Sequence, residues 1–150
     1  MDVSKEYYPI LEQCGMMRGI APQRYGTVLF CLQARTIDYP RGVHIAEVGE
    51  AAECAGVLLR GSIEEFLYDE SGNQITVAHI REGQIFGAEL ACSGGAASPV
   101  CLRTVSDCTV MLLNFGMLLS ESSMGCPCRM QVTANLMQEF ARQVLAFNTK

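Results

Sequence analysis

The residues whose types and spacing could do chemistry are concentrated in EGQIFGAELACSGGAASPVCLRTVS, residues 82–106. Glycines stand at its turns, and a short helix start follows Phe86-Gly87. That is the arrangement in which free backbone N–H groups cradle a phosphate. Yet between Gly83 and Pro99 there is no Lys and no Arg. The walls are small and mostly neutral (Ala88, Ala91, Cys92, Ala96, Ala97, Pro99), with Gly94 and Gly95 supplying flexibility. Such a lining suits a neutral or weakly acidic, partly apolar ligand, for example an aromatic acid with its carboxylate at the helix start.

The other reactive residues give weaker patterns. Eight cysteines are many for 150 residues, but only Cys126-Pro-Cys128 forms a close pair; Cys14, Cys31, Cys54, Cys92, Cys101 and Cys108 are scattered. A structural zinc site wants four ligands and an iron–sulfur cluster a group of cysteines, so packed, reduced thiols are expected and no metal is assigned. The histidines are His44 and His79 alone. A cupin-like metal enzyme would draw on three plus a carboxylate, and on a strand His44 and Glu47 are expected to face opposite sides. There is no GxSxG, HExxH or Gly-Lys-Ser/Thr phosphate loop. No catalytic residue is assigned, and the chain is not read as an enzyme.

These residues need a scaffold, and the composition provides for one. A 49% hydrophobic, 18% charged chain of this length can bury a core. Its net charge of −5 gives no general attraction for nucleic acid. No apolar run approaches the roughly 20 residues that span a bilayer, and no basic-then-apolar leader opens the chain; a cytoplasmic setting without membrane contact is expected.

Hydrophobic periodicity sets the elements. Tyr7, Ile10 and Leu11 have helical spacing, with Pro9 limiting that helix to a short one. A second helix starts near Pro22 and carries Tyr25, Val28, Leu29 and Leu32 on one side. The period then changes. ARTIDY, VHIAEV, AGVLLR, SIEEFLYD and QITVAHI are short strands separated by turn signals, and VCLRTVS and TVMLLN follow the 82–100 loop. Asp69-Glu70-Ser71-Gly72-Asn73 reads as a hairpin loop. From Phe115 the pattern is helical again. Residues 129–150 contain no Gly or Pro, with one apolar stripe at Val132, Leu136, Phe140, Val144 and Phe147 and a second at Met130, Met137, Ala141 and Leu145. One stripe is expected on the domain and the other on a partner chain; a helix sunk wholly into its own core is the alternative.

YPRGVHIAEVGEAAE, GVLLRGSIEEFLYDESGNQITVAHIREGQIFG and LMQEFARQVLAFNTK, with glycines at 42, 49, 61, 72, 83 and 87, resemble the effector domain of Crp/Fnr-type bacterial transcription regulators over residues 24–150. The resemblance implies a mainly β fold with flanking helices: a double-stranded β-helix, or jelly-roll/cupin-like β-roll, followed by a long dimerisation helix. The divisions are 1–33 for N-terminal helices, 34–114 for the β-roll and 115–150 for the helical segment. In such regulators a C-terminal helix-turn-helix domain reads DNA, and that part is absent from these residues.

The resemblance also implies where a ligand sits. Cyclic-nucleotide-binding members have a cassette of Phe-Gly-Glu, then Arg-Ser or Arg-Thr and Ala about ten residues on. Here Phe86 and Gly87 match, Ala88 stands where the Glu belongs with Glu89 beside it, and Ser98, Pro99 and Val100 stand where Arg-Ser-Ala is expected. Arg103 belongs to the next strand. On the long helix Phe147 and Asn148 replace the Thr-Ser pair that touches the base in cAMP-responsive members. Losing one charged hydrogen bond to a buried anion costs about 1.5–3 kcal/mol. The expected effector is therefore an unidentified small molecule other than cAMP, bound by Phe86, Gly87, Ala88, Glu89, Ser98, Pro99, Val100, Phe147 and Asn148, with no cofactor assigned. A nucleotide sensor with an altered cassette and a collapsed pocket remain the alternatives. The expected partner is a second copy, held through Leu136, Met137, Phe140, Ala141, Val144 and Leu145; DNA would be reached only through the absent domain.

Overall fold

A computed structural model describes residues 3–49, 55–121 and 125–148, the side chains of residues 147 and 148 excepted. Pro9 sits in the first turn of a five-residue helix, α1 (Tyr8–Glu12), and Pro22 opens a 3₁₀ turn that runs into α2 (Tyr25–Cys31). In both, proline's fixed φ and missing N–H suit the first helical positions. Tyr25, Val28 and Leu29 are buried, as their spacing predicts.

Eight strands follow: β1 (Arg35–Tyr39), β2 (His44–Ala46), β3 (Gly56–Arg60), β4 (Ile63–Tyr68), β5 (Gln74–Ile80), β6 (Ile85–Phe86), β7 (Cys101–Thr104) and β8 (Cys108–Leu112). They form two antiparallel sheets, in the orders β1-β8-β3-β6 and β2-β7-β4-β5. This is the expected β-roll. The six turn glycines all take positive φ. In the 69–73 loop the Asp69 carboxylate accepts from the amides of Ser71 and Asn73, at 2.9 and 2.8 Å.

The apolar run in β3 has a specific cause. Leu58 points into the roll, where it meets Ile63, Ile80, Phe86, Leu102, Val110 and Leu112. Val57 and Leu59 point out of it, into a second core shared with α2, Met111, Phe115 and the last helix. A strand buried on both faces needs no polar alternation. Gly56 marks the tightest approach, since a Cβ there would collide with the Met111 carbonyl.

After a 3₁₀ segment at Phe115–Leu119, the chain ends in a 20-residue helix. Numbered in chain order after the short α3 (Ala88–Ala91), it is α4 (Arg129–Asn148). Its first half belongs to the second core through Val132 and Leu136. Asn135 is buried in the same face, and its amide donates to the carbonyls of Met16 (2.7 Å) and Arg18 (2.8 Å) while its oxygen accepts from Gln131. The helix is thereby clamped to the N-terminal turn at Gly15–Met17. Beyond Phe140, Val144 and Leu145 are 59% and 63% exposed. No helix among the described residues is long and apolar enough to cross a membrane.

Candidate functional site

A cavity of about 420 Å³ opens between the β-roll and α4. Gln13, Gly15 and Arg18 line it from the N-terminal turn, and Glu65, Ala78, His79 and Ile80 from β4 and β5. Gly83, Gln84, Ile85, Ala88 and Glu89 close the loop side, and Glu139, Phe140 and Gln143 the helix side. Gly87, with φ of 74°, turns the chain from β6 into α3 and so brings Ala88 and Glu89 to the rim. Gly15 lets the Glu139 side chain lie directly against the N-terminal turn, where a Cβ would collide with it.

The electrostatics run against an anion. The lining holds three carboxylates (Glu65, Glu89 and Glu139) and one guanidinium. Arg18 is already engaged, by Glu139 at 3.2 Å and Gln138 at 3.1 Å. Burial, reinforced by the charge of Glu89, holds the Glu65 carboxyl above the usual carboxylate range. Arg103 is not among the lining residues. It sits 3.2 Å from Glu64 and 3.3 Å from Gln74, with its guanidinium 4.7 Å from the centre of the Phe66 ring. A cyclic phosphate there would meet three carboxylates and a guanidinium already paired with one of them. Of the cassette positions, Ala88 and Glu89 face this cavity, and neither supplies a cation.

Of the residues assigned to a ligand from sequence, Ala88 and Glu89 line the cavity. Phe86 does not: it is 2% exposed and packs inside the roll. Ser98, Pro99 and Val100 also lie outside the lining, and the Ser98 hydroxyl is spent on the Val100 carbonyl at 2.6 Å. The side chains of Phe147 and Asn148 lie outside the described residues. The residues assigned to the dimer differ in exposure within the single chain. Leu136 is 3% exposed because it completes its own chain's core, and Phe140 is half-buried against that core while lining the cavity. Met137, Ala141, Val144 and Leu145 are the exposed members of the set.

Glu65, His79, Arg18, Glu139 and Gln143 were missed. Glu139, Phe140 and Gln143 share a helix face at i, i+1 and i+4, a signal hidden by the stronger apolar stripes. Glu65 stands two residues after the buried Ile63 and so on the same side of β4, with the register against β5 shifting just beyond it. His44 also departs from expectation. β2 ends before Glu47, and the His44 ring nitrogen reaches the Glu47 carboxylate at 3.1 Å. Among the described residues, however, no three His, Cys, Asp or Glu side chains group so as to hold a metal ion.

Two facing four-stranded antiparallel sheets, a short helix at the β6 turn and a long helix closing a cavity define the Crp/Fnr effector-domain architecture. The chain belongs to the cyclic nucleotide-binding domain family, whose profile matches residues 36–120. The fold is similar to that of the catabolite activator protein of Thermus thermophilus, with TM-score 0.73 and 22% identity over 90% of this chain; the chain spans 60% of the length of that protein. It is also similar to the N-terminal domain of a transcriptional regulator from Streptomyces coelicolor A3(2) (TM-score 0.72, 13% identity, 93% of this chain and 95% of that one). The sensor domain of the transcriptional regulator DNR from Pseudomonas aeruginosa is a third (TM-score 0.67, 13% identity, 93% and 92%). No curated protein matches the sequence.

Proposed function

We propose that this domain is the non-catalytic sensory and dimerising part of a Crp/Fnr-type transcription regulator, answering to a small effector other than cAMP. The observation that carries this reading is the cavity walled by β4, β5, α3 and α4, whose charged residues are three carboxylates and one already paired arginine. A ligand there touches the roll and the helix at once, through Glu65 and His79 on one side and Phe140 and Gln143 on the other. Its binding energy is therefore available to bias the position of α4. The exposed second half of α4 would pair with a second copy through Met137, Ala141, Val144 and Leu145. A DNA-reading domain beyond residue 150 would be re-aimed by the same movement, in a reducing cytoplasm that suits the free thiols.

Two measurements on the full chain test this reading. Native mass spectrometry is expected to show a dimer, and a discrete bound mass lost on denaturation would report the effector. Calorimetric titration with cAMP is expected to show no saturation up to about 1 mM, the range of marginal affinities. A micromolar cAMP isotherm would overturn the ligand assignment, and a monomer at tens of micromolar protein would overturn the dimer.

A further inference from the structure

A second cavity, of about 390 Å³, lies at the C-terminal end of α3, where the turn after α2 and the start of β1 meet the segment that follows β8. Ala91 lines it, whereas Ala88 and Glu89, at the other end of the same helix, line the first cavity. Leu112, Leu113 and Phe115 also form its wall, but each is 7% exposed or less because its side chain packs into one of the two cores. The longer polar side chains on its rim are those of Gln33, Arg35 and Asn114, all exposed.

Gln33 occupies a costly position. It follows the last turn of α2 with φ of 54°, the one left-handed residue other than glycine among those described. Its amide donates to the Phe30 carbonyl (3.1 Å) and the Ala34 amide to the Leu29 carbonyl (2.9 Å), a helix ending that usually calls for glycine. A glutamine held there against that preference implies a use for its side chain. The Gln33 side-chain oxygen already accepts from the Asn114 amide at 3.0 Å. What it has left to offer is its own NH₂ group, two donors.

Arg35, two residues on, stands opposite Leu112 in the β1–β8 ladder. Its guanidinium makes no hydrogen bond or ion pair, and it is the one charge among the described residues that line the cavity. The first cavity has three carboxylates and a paired arginine; this one has an unpaired arginine and no carboxylate among its described lining. Arg35 and Gln33 thus both present unspent donors, and a guanidinium fork matches the two oxygens of a carboxylate or phosphate. We infer that this cavity is a second ligand site, taking a small polar molecule through an oxyanion group, carboxylate or phosphate, held by Arg35 and Gln33. Filling it braces the C-terminal end of α3, whose opposite end carries Ala88 and Glu89 to the first cavity. The second site is thereby placed to tune the first without overlapping it.

The test uses the full chain labelled with ¹⁵N. Its ¹H–¹⁵N correlation spectra are followed during titration with glycerol 3-phosphate and, separately, with citrate, against chloride at matched ionic strength. The expected result is saturable movement of the Gln33 and Asn114 side-chain amide signals and of the Arg35 and Gly116 backbone signals by at least one probe. Which probe moves them decides between phosphate and carboxylate. Arg35→Gln is expected to weaken that binding about tenfold or more. Gln33→Gly should weaken it too while unfolding at no lower temperature, since glycine takes the left-handed turn freely; unchanged binding would overturn the role given to its side chain. Shifts that follow chloride equally, that centre on Arg41 or Arg81, or that survive Arg35→Gln would each overturn the site, as would no saturation by either probe. The wild-type map decides the question even if a variant folds poorly.

Discussion

Asn135 shows how much one polar side chain can organise. It occupies a buried helix position that an aliphatic residue would ordinarily fill, and its amide satisfies two carbonyls of the N-terminal turn. Asn135→Ala would leave the buried Met16 carbonyl unpaired and the Arg18 carbonyl without its amide donor, at a cost of about 1–3 kcal/mol, read as a lower urea midpoint at unchanged slope. Glu65 presents the opposite case, a carboxyl whose environment opposes its charge. Its folded-state pKa is raised by burial and by Glu89. Its contribution to stability is therefore fully present below the unfolded-state value and is lost as pH rises through the folded one. Glu65→Gln is expected to raise the melting temperature at pH 7 and to give no such gain near pH 3, by scanning calorimetry at the two pH values. Neither residue's role was legible in the sequence. Asn135 belongs to neither apolar stripe, and a carboxylate in a strand gives no sign of the cavity that will receive it.

At the scale of elements, α4 divides at Phe140. Up to that point Val132, Asn135 and Leu136 bind the helix to its own domain; past it Val144 and Leu145 are exposed. Val144→Glu together with Leu145→Glu is expected to give folded monomers by sedimentation, with circular dichroism unchanged. Phe140→Asp should instead damage the core and the cavity, since Phe140 packs on both. Two stripes on one helix were readable from spacing alone, and so was the idea that one is left over. What spacing could not show is that the first stripe leaves the domain partway along. That depends on where the roll ends in space. The strands were legible for a different reason: turn glycines with positive φ punctuate them, and a left-handed backbone restricts residue choice more strongly than burial does.

Across the whole molecule, β3 and β8 serve two cores at once. Leu58, Val110 and Leu112 fill the roll, while Val57, Leu59 and Met111 face the helices. Loosening either core strips one face of the same two strands, so heat unfolding should follow a single transition with calorimetric and van't Hoff enthalpies in agreement. Leu58→Ala and Leu59→Ala, on opposite faces, should each cost about 2–5 kcal/mol and lower that one transition rather than split it. The sequence showed β3 as an unbroken apolar run, and strand pattern alone could not say what covered its second face.

The same sharing sets where the chain can be cut. Residues 36–120, the part recognisable as a family domain, exclude α1, α2 and α4. A fragment trimmed to those limits would keep all the strands but for the first residue of β1, and still present Val57, Leu59, Met111 and Phe115 to water as a bare oily wall. Such a piece is expected to clump when produced alone. A usable excision must carry the N-terminal turn and the root of the long helix as a lid for that wall.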